Sequence, residues 1–232
     1  MKIDLIMGQV DSMELVWVKG SMSWFWIKVE GKNIHIDPSY YPKGQVHGPE
    51  MEQKADLILI THSHPDHFQK KTVELLKGDG TIVIAPSKVA QKRAPSKTTI
   101  AELGKEEDLG WAKVKPVYAY NLGLKGHIFH KKGACVGYLL TVGGKTIYHA
   151  GDTEFIPEMR ELGHVDLALL PIGGTVTMDA DAAAEAARAI GAKHVVPMHN
   201  RSKPTSELKT KLQNDLNIDV VLAEKGKAFD PF

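Results

Sequence analysis

Four side chains that can bind a metal ion lie within six positions of one another. They are His62, His64, Asp66 and His67, and they follow directly after the apolar run 55–60. A continuous apolar run of this length is typical of a strand buried on both faces. Such a strand would hold the imidazoles and the carboxylate at one rim of a sheet, where they can converge on a divalent cation. One histidine alone would indicate a solvated loop, but four ligand-type residues at this spacing predict a metal site.

Two later segments repeat this arrangement, an apolar strand that ends at a ligand-type residue. Residues 146–150 lead to Asp152, and residues 195–198 lead to His199. Loops at strand ends carry the binding and catalytic groups of layered α/β folds, because the strands beneath them form a rigid scaffold. Gly151 would allow the backbone to approach a ligand closely. We therefore expect Asp152 and His199 to join the histidine motif in one site.

The rest of the chain must supply the elements that position these residues. Segments rich in β-branched and aromatic residues predict strands over 14–19, 24–30, 32–36, 55–60, 81–85, 99–103, 111–120, 137–142, 145–150, 165–170, 194–197 and 220–223. Helix formers and terminal glycines predict helices over 68–77, 86–93, 179–190 and 206–216. Each half has strand-rich segments followed by strand–helix units, which predicts two central sheets with helices outside. We expect a single domain over residues 1–232.

Composition excludes several classes of protein. The chain has 232 residues, of which 43% are hydrophobic and 25% charged, as in ordinary globular proteins. A formal net charge of +1, without a basic run, gives no reason to expect a nucleic-acid partner. No apolar run approaches the length of a membrane span, and the N-terminus lacks the apolar core of a signal peptide. We therefore expect no membrane partner and a cytoplasmic location.

Several other residues of reactive or aromatic type are expected to be structural. The single cysteine, Cys135, rules out a disulfide framework and a cysteine-built zinc site, and its apolar neighbours predict a small buried side chain. Asp179 and Asp181 suit a helix N-terminus. Core, strand or loop positions are expected for Trp17, Trp24, Trp26, His35, His47, His149, His164 and His194.

The histidine motif and the segments after it resemble one family. The segments His62-x-His64-x-Asp66-His67, Gly151-Asp152-Thr153 and His199 resemble the metallo-β-lactamase-fold hydrolase superfamily. The resemblance is strongest to the branch of predicted metal-dependent hydrolases that are similar to L-ascorbate-6-phosphate lactonase. The phrases typical of that branch are residues 137–140, 149–153, 170–174 and 197–199. The resemblance extends from Asp37-Pro38 to the terminal strand.

This resemblance implies both a fold and a two-metal site. The fold would be a four-layer αββα sandwich, in which two central mixed sheets are flanked by helices. The family's pattern assigns six ligands to two divalent ions: His62 and His64 to the first, Asp66, His67 and His199 to the second, and Asp152 as the bridge. Imidazoles and carboxylates without thiolates suit Zn²⁺ or Mn²⁺, with Fe²⁺ also open.

One position departs from the family's pattern. The family supplies a further histidine for the first metal at the end of a strand, where this chain has Asn121. An amide oxygen is a weaker ligand than imidazole for these metals. Asn121 could still ligate, His127 or His130 could replace it, or the first site could have a lower affinity. Of these we favour His130, as a residue of the metal site or of the cleft. Asp37 is expected to orient the site by hydrogen bonds rather than to ligate.

These residues predict a metal-dependent hydrolase of a small polar metabolite. Two neighbouring metals lower the pKa of bound water, so that a metal-bound hydroxide could attack an ester, lactone or phosphoester. Asp66 could also carry the proton to the leaving group. Two alternatives stay open: a phosphodiesterase or nuclease of the same superfamily, and a non-catalytic metal-dependent binding or sensor protein. The sequence leaves open whether the chain forms a homo-oligomer. It also leaves open the substrate, which depends on the loops 39–49, 121–133 and 173–178.

Overall fold

The structure is a computed structural model that describes residues 13–40, 48–92 and 98–232. Some of the sequence-based expectations fall outside this part of the chain. They concern the first five residues, most of the loop 39–49 with His47, and the side chain of His127.

The first sheet is mixed and has seven strands in the described part of the chain. Its members are β1 (Glu14–Trp17), β2 (Phe25–Val29), β3 (Lys32–Ile36), β4 (Ala55–Leu59), β5 (Lys77–Ala85), β6 (Thr98–Ile100) and β14 (Ala228–Phe229). They lie in the order β14-β1-β2-β3-β4-β5-β6. The strands from β14 to β3 pair antiparallel, whereas β3, β4, β5 and β6 pair in parallel.

The second sheet is also mixed, and seven of its strands lie among the described residues. Its members are β7 (Glu107–Asp108), β8 (Ala112–Ala119), β9 (Cys135–Val142), β10 (Lys145–His149), β11 (Leu167–Pro171), β12 (His194–Met198) and β13 (Asp219–Val220). They lie in the order β13-β12-β11-β10-β9-β8-β7. The strands β10 to β13 pair in parallel, and β7 to β10 pair antiparallel.

Within the described ranges, five α-helices lie among these strands. They are α1 (Lys70–Leu76), α2 (Ser87–Lys92), α3 (Gly123–Ile128), α4 (Ala180–Ile190) and α5 (Ser206–Lys211). Short 3₁₀ turns occupy Pro49–Met51 and Pro157–Glu161. None of the helices in the described ranges combines the length and the apolar content needed to cross a membrane.

The side chains of β4 show how the four layers are built. Leu57 and Leu59 belong to the large core that also contains residues of the second sheet, whereas Ile58 belongs to a separate core with side chains of α1 and α2. Successive side chains of a strand point to opposite faces, so β4 faces the second sheet on one side and helices on the other. On the far side of the molecule, alanines of α4 pack into the large core. The predicted αββα sandwich is confirmed.

Several predicted elements were wrong in their extent. The helix predicted over 206–216 ends at Lys211, and the strand predicted over 220–223 is Asp219–Val220. The predicted helix over 68–77 ends at Leu76, and Gly78 lies inside β5 instead of terminating the helix. Lys77 has extended backbone angles and pairs with Ala55, so pairing with the sheet overrides the glycine signal. The predicted loop over 121–133 contains α3. Its glycines are needed there, because a Cβ at Gly126 would collide with the carbonyl oxygen of Asn121.

Helix α4 has the ends that its sequence predicts. The Asp179 side chain accepts a hydrogen bond from the Ala182 backbone N–H at 2.9 Å, and Gly191 ends the helix in the left-handed conformation at φ 70°. These two features fix the ends of α4, which packs against β11 and follows the loop 173–178. This confirms the expectation that Asp179 caps a helix.

We expect Asp179→Ala to lower the free energy of unfolding by about 1 kcal/mol, because the Ala182 N–H loses its acceptor. Asp179→Asn keeps an acceptor oxygen and should stay close to the wild type. Urea denaturation of the two variants and the wild type measures the difference. Equal losses in both variants would show that the cap does not stabilise α4.

Candidate metal centre

The ligand-type residues meet because several strands end at one rim of the sandwich. Parallel pairing places the carboxyl ends of β3 and β4 together in one sheet, and those of β10 and β12 in the other. Hydrogen bonds between described residues join the sheets at this rim. The Val136 N–H donates to the Thr61 carbonyl at 3.1 Å, and the Tyr138 hydroxyl donates to the Ile60 carbonyl at 2.8 Å.

Gly151 closely approaches other protein atoms, whereas the sequence suggested a close approach to a ligand. The residue has φ 63°, and a Cβ there would lie 3.0 Å from the Val136 carbonyl oxygen and 3.1 Å from the Thr61 Cβ. The close approach that glycine allows is therefore to the neighbouring backbone and to Thr61, where the two sheets meet. Gly151 packs β10 against the histidine motif and so sets the position of Asp152.

One cluster of possible ligands contains His62, His64, His130 and Asp152, with one atom from each lying within 4.8 Å of the others. His64 Nδ1 lies 3.0 Å from His62 Nε2 and 3.2 Å from His130 Nε2. His130 Nε2 lies 3.5 Å from Asp152 Oδ2. Imidazole and carboxylate atoms at these separations can converge on one divalent ion.

A second cluster contains Asp66, His67 and His199. His199 Nε2 lies 3.2 Å from Asp66 Oδ2, and His67 Nε2 lies 3.9 Å from the same oxygen. The other oxygen of Asp152, Oδ1, lies 3.2 Å from His67 Nε2 and 3.4 Å from His199 Nε2. The carboxylate of Asp152 therefore lies between the two clusters, with one oxygen toward each.

Three of the histidines are held by their outer ring nitrogens. His62 Nδ1 donates to Thr61 Oγ1 at 3.0 Å, because that hydroxyl already donates to Asp37. His67 Nδ1 donates to Asp37 Oδ2 at 2.7 Å. In each ring the proton on Nδ1 leaves Nε2 free to bind a metal ion.

His130 is held in the same way, by Asn121. The Asn121 amide nitrogen donates to the Val176 carbonyl at 2.8 Å, so its oxygen is turned toward His130 Nδ1, at 2.7 Å. The Asn121 N–H also donates to the His130 carbonyl. Asn121 thus lies behind the first cluster as a support for His130, rather than in the cluster as a ligand.

Asp37 organises the motif from below. Its carboxylate is fully buried and accepts hydrogen bonds from the Thr61 N–H, the Thr61 hydroxyl and His67 Nδ1, each at 2.7 Å.

The backbone at this rim is strained at two positions. Asp37 has φ 54° and His199 has φ 45°, a region of backbone conformation that is energetically unfavourable for a residue other than glycine. Strained backbone at two positions of one rim is typical of a functional site.

The electrostatics of the centre favour a bound cation. Burial alone would lower the pKa of His67, but the carboxylates of Asp152 and Asp37 raise it well above its usual value. Burial alone would raise the pKa of Asp152, but His199 and His67 hold it well below its usual value. His67 Nε2 and Asp152 Oδ1 are buried and lie 3.2 Å apart, but neither forms a well-aligned hydrogen bond with the other or with any other described residue. Unpartnered ligand atoms in a buried, negatively charged centre fit a divalent metal ion.

Comparison with known proteins decides the family. The model of a family described as "Beta-lactamase superfamily domain" matches residues 14–199. A UPF0173 metal-dependent hydrolase from Lysinibacillus sphaericus is 35% identical over 218 residues, which cover 89% of this chain and 95% of the relative. The chain belongs to the UPF0173 metal-dependent hydrolases of the metallo-β-lactamase superfamily.

Solved structures agree with this assignment. A protein from Parabacteroides distasonis superposes with a TM-score of 0.79 at 32% identity, over 89% of this chain and 91% of that one. Igni18, a metallo hydrolase from Ignicoccus hospitalis, superposes with a TM-score of 0.77 at 28% identity, over 94% of this chain and 97% of that one. The predicted superfamily and its fold are confirmed, and the chain is a metal-dependent hydrolase.

The role of Asn121 in this hydrolase differs from the one that its sequence position suggests. Sequence reasoning weighed Asn121 as a ligand, whereas the structure shows that Asn121 positions His130. No sequence signal gives this role, because it depends on the turn through α3 that brings a residue nine positions later back to the end of β8.

The other histidines with described side chains are engaged elsewhere in the hydrolase. His149 donates to the Ser23 carbonyl and accepts from the Gly151 N–H, and His35 accepts from the Trp24 indole at 3.0 Å. His164 contacts Asp166 at 3.0 Å, and His194 begins β12. Trp17, Trp24 and Trp26 are buried, and so is Cys135, as the sequence predicts.

We expect Asp37→Asn to weaken metal binding by the hydrolase 10- to 100-fold, because an amide has one acceptor oxygen and cannot accept all three hydrogen bonds that Asp37 takes from the Thr61 N–H, the Thr61 hydroxyl and His67 Nδ1. The NH₂ group of the amide would face one of these donors, so Thr61 and His67 would lose their fixed positions. Competition with a chromogenic chelator measures the affinity. Asp56→Asn is the matched control, since Asp56 accepts hydrogen bonds at the opposite end of the same β3–β4 pair. Equal affinities in wild type and Asp37→Asn would contradict this role.

Proposed function

We propose that the two clusters hold two divalent metal ions, and that the chain hydrolyses an ester, lactone or phosphoester bond of a small polar metabolite. One observation supports this most strongly. The two oxygens of Asp152 face different clusters, Oδ2 toward His130 and Oδ1 toward His67 and His199. A carboxylate shared between two sets of ligands is the arrangement expected where two metals lie side by side.

The ligands divide between the two metals. His62, His64 and His130 would hold the first, Asp66, His67 and His199 the second, and Asp152 both. The donor set of imidazoles and carboxylates suits Zn²⁺ or Mn²⁺, and Fe²⁺ is the third candidate. When bound, such a pair lowers the pKa of water and polarises the oxygen of the scissile bond. His130 would take the place of the histidine that the family's pattern has at the end of β8, so neither cluster lacks an expected ligand. This supports an enzyme over a binding or sensor protein.

Asp66 is the residue that we assign to proton transfer. Its side chain is 17% exposed, whereas the side chains of His67 and His199 are fully buried, so it can reach a substrate. Burial alone would raise the pKa of Asp66, but the hydrogen bond from His199 and the nearby His67 lower it. Asp66 is therefore a carboxylate near neutral pH, and it can take up a proton and pass it to the leaving group.

His130→Ala should reduce the metal content from about two ions per chain to about one, because the first cluster loses an imidazole while the second keeps all its ligands. Elemental analysis by mass spectrometry, after dialysis against a fixed free concentration of metal, measures the ratio. His194→Ala removes a histidine that lies outside both clusters and should keep two ions. Two ions in His130→Ala would contradict the proposed first site.

Asp66→Asn should lower kcat by roughly 10²- to 10⁴-fold on a substrate from a panel of esters, lactones and phosphoesters. The variant is assayed at saturating metal, and its metal content is measured in parallel to separate lost metal from lost proton transfer. Wild-type turnover in a fully loaded Asp66→Asn protein would exclude Asp66 from proton transfer. No turnover of any panel member by loaded wild type would overturn the proposed hydrolysis of these bonds.

A further inference from the structure

A cavity of about 230 Å³ opens beside the first cluster. His62 and His64 form part of its wall, so whatever fills it lies next to the reacting centre. The remaining wall comes from α2, from the end of α3 and from the start of β9. Its volume suits a few non-hydrogen atoms rather than a large ligand.

Two lysines, Lys88 and Lys131, give this cavity its charge. Both side chains line it, and no aspartate or glutamate does so among the described residues. Neither lysine forms an ion pair within the described part of the chain. The next residue, Lys132, differs in this respect, since it pairs with Glu158 and lies over the Tyr118 ring. Two ammonium groups at one cavity repel each other, and an anion bound between them would remove that repulsion.

Apart from Ser63, the rest of the wall is formed by apolar residues and Cys135. Val89 is buried beneath it, and the walls include Ile128 and Phe129, which are 72% and 48% exposed. Cys135 also lines it, but burial raises the pKa of its thiol to about 12, so the thiol stays neutral. Exposed apolar side chains beside a metal site are suited to contact the carbon skeleton of a ligand.

We propose that this cavity binds the non-reacting part of the substrate, a short apolar segment that ends in a carboxylate or phosphate held by Lys88 and Lys131. The inference rests on the proposed function, because it places the scissile bond at the metal ligands and the anionic end at the lysines. It names the substrate class as anionic esters or lactones.

A matched pair of substrates tests this directly. Mono(4-nitrophenyl) glutarate carries a terminal carboxylate, and 4-nitrophenyl pentanoate has the same chain length without the charge. The metal-loaded wild-type protein should have a lower KM for the glutarate ester than for the pentanoate ester. Lys88→Met and Lys131→Met should each raise that KM roughly three- to tenfold with kcat unchanged, and should leave the KM of the pentanoate ester within twofold. Lys132→Met is the control and should change neither KM.

Binding without turnover separates this inference from the proposed function. Calorimetric titration of the loaded protein with glutarate and with methylphosphonate shows which anion is preferred. The double variant Lys88→Met/Lys131→Met should bind the preferred anion at least tenfold more weakly, with unchanged metal content. If the metal-loaded wild type turns over neither ester but shows this loss, the anion site stands while ester hydrolysis, as part of the proposed function, fails. Equal anion binding by wild type and the double variant, or equal KM values for the two esters, overturns the inference.

Discussion

The buried carboxylate of Asp37 is the interaction on which the rest of the centre depends. It lies at the end of β3, and its three hydrogen bonds reach Thr61 and His67 at the end of β4. An unpaired carboxylate at this depth would be strongly destabilising, so the polypeptide after β4 has to turn back over Asp37 to satisfy it. That turn carries the histidine motif, and its geometry is therefore set by hydrogen bonding below the metal ligands rather than by the ligands themselves.

Hydrogen bonds behind the clusters also orient three of the imidazole rings. Thr61, Asp37 and Asn121 each hold the Nδ1 of one histidine, and each is fixed in turn by a backbone group or a second side chain. The rings are thus oriented before a metal binds, which reduces the entropy lost on binding. Asp152 brings its two oxygens between the clusters because Gly151 lets β10 approach the end of β4. The strained backbone at His199 shows that the sandwich stabilises an unfavourable conformation at this rim.

Much of this arrangement could be predicted from the sequence, because buried strands and metal ligands leave local signals. The apolar run before His62 predicted β4, and ligand-type residues after strands predicted the convergence of Asp152 and His199. The end of α1 was wrong because pairing of Lys77 with Ala55 overrides the local preference at Gly78. The support of His130 by Asn121 could not be predicted, since it depends on how the chain folds back through α3. The assignment of ligands to individual metals stays a prediction.

The segment from Asn121 to Cys135 contributes both to the first cluster and to the wall of the cavity beside it. Its hydrogen bond to His130 holds a ligand of the first cluster, while Phe129 and Lys131, on either side of His130, line the adjoining cavity. A shift of this segment would move the ligand and the cavity wall together. Because Asn121 is anchored to Val176 in the loop 173–178, that loop is mechanically connected to both. In the proposed two-metal centre, metal affinity and the shape of the cavity would therefore depend on the same segment.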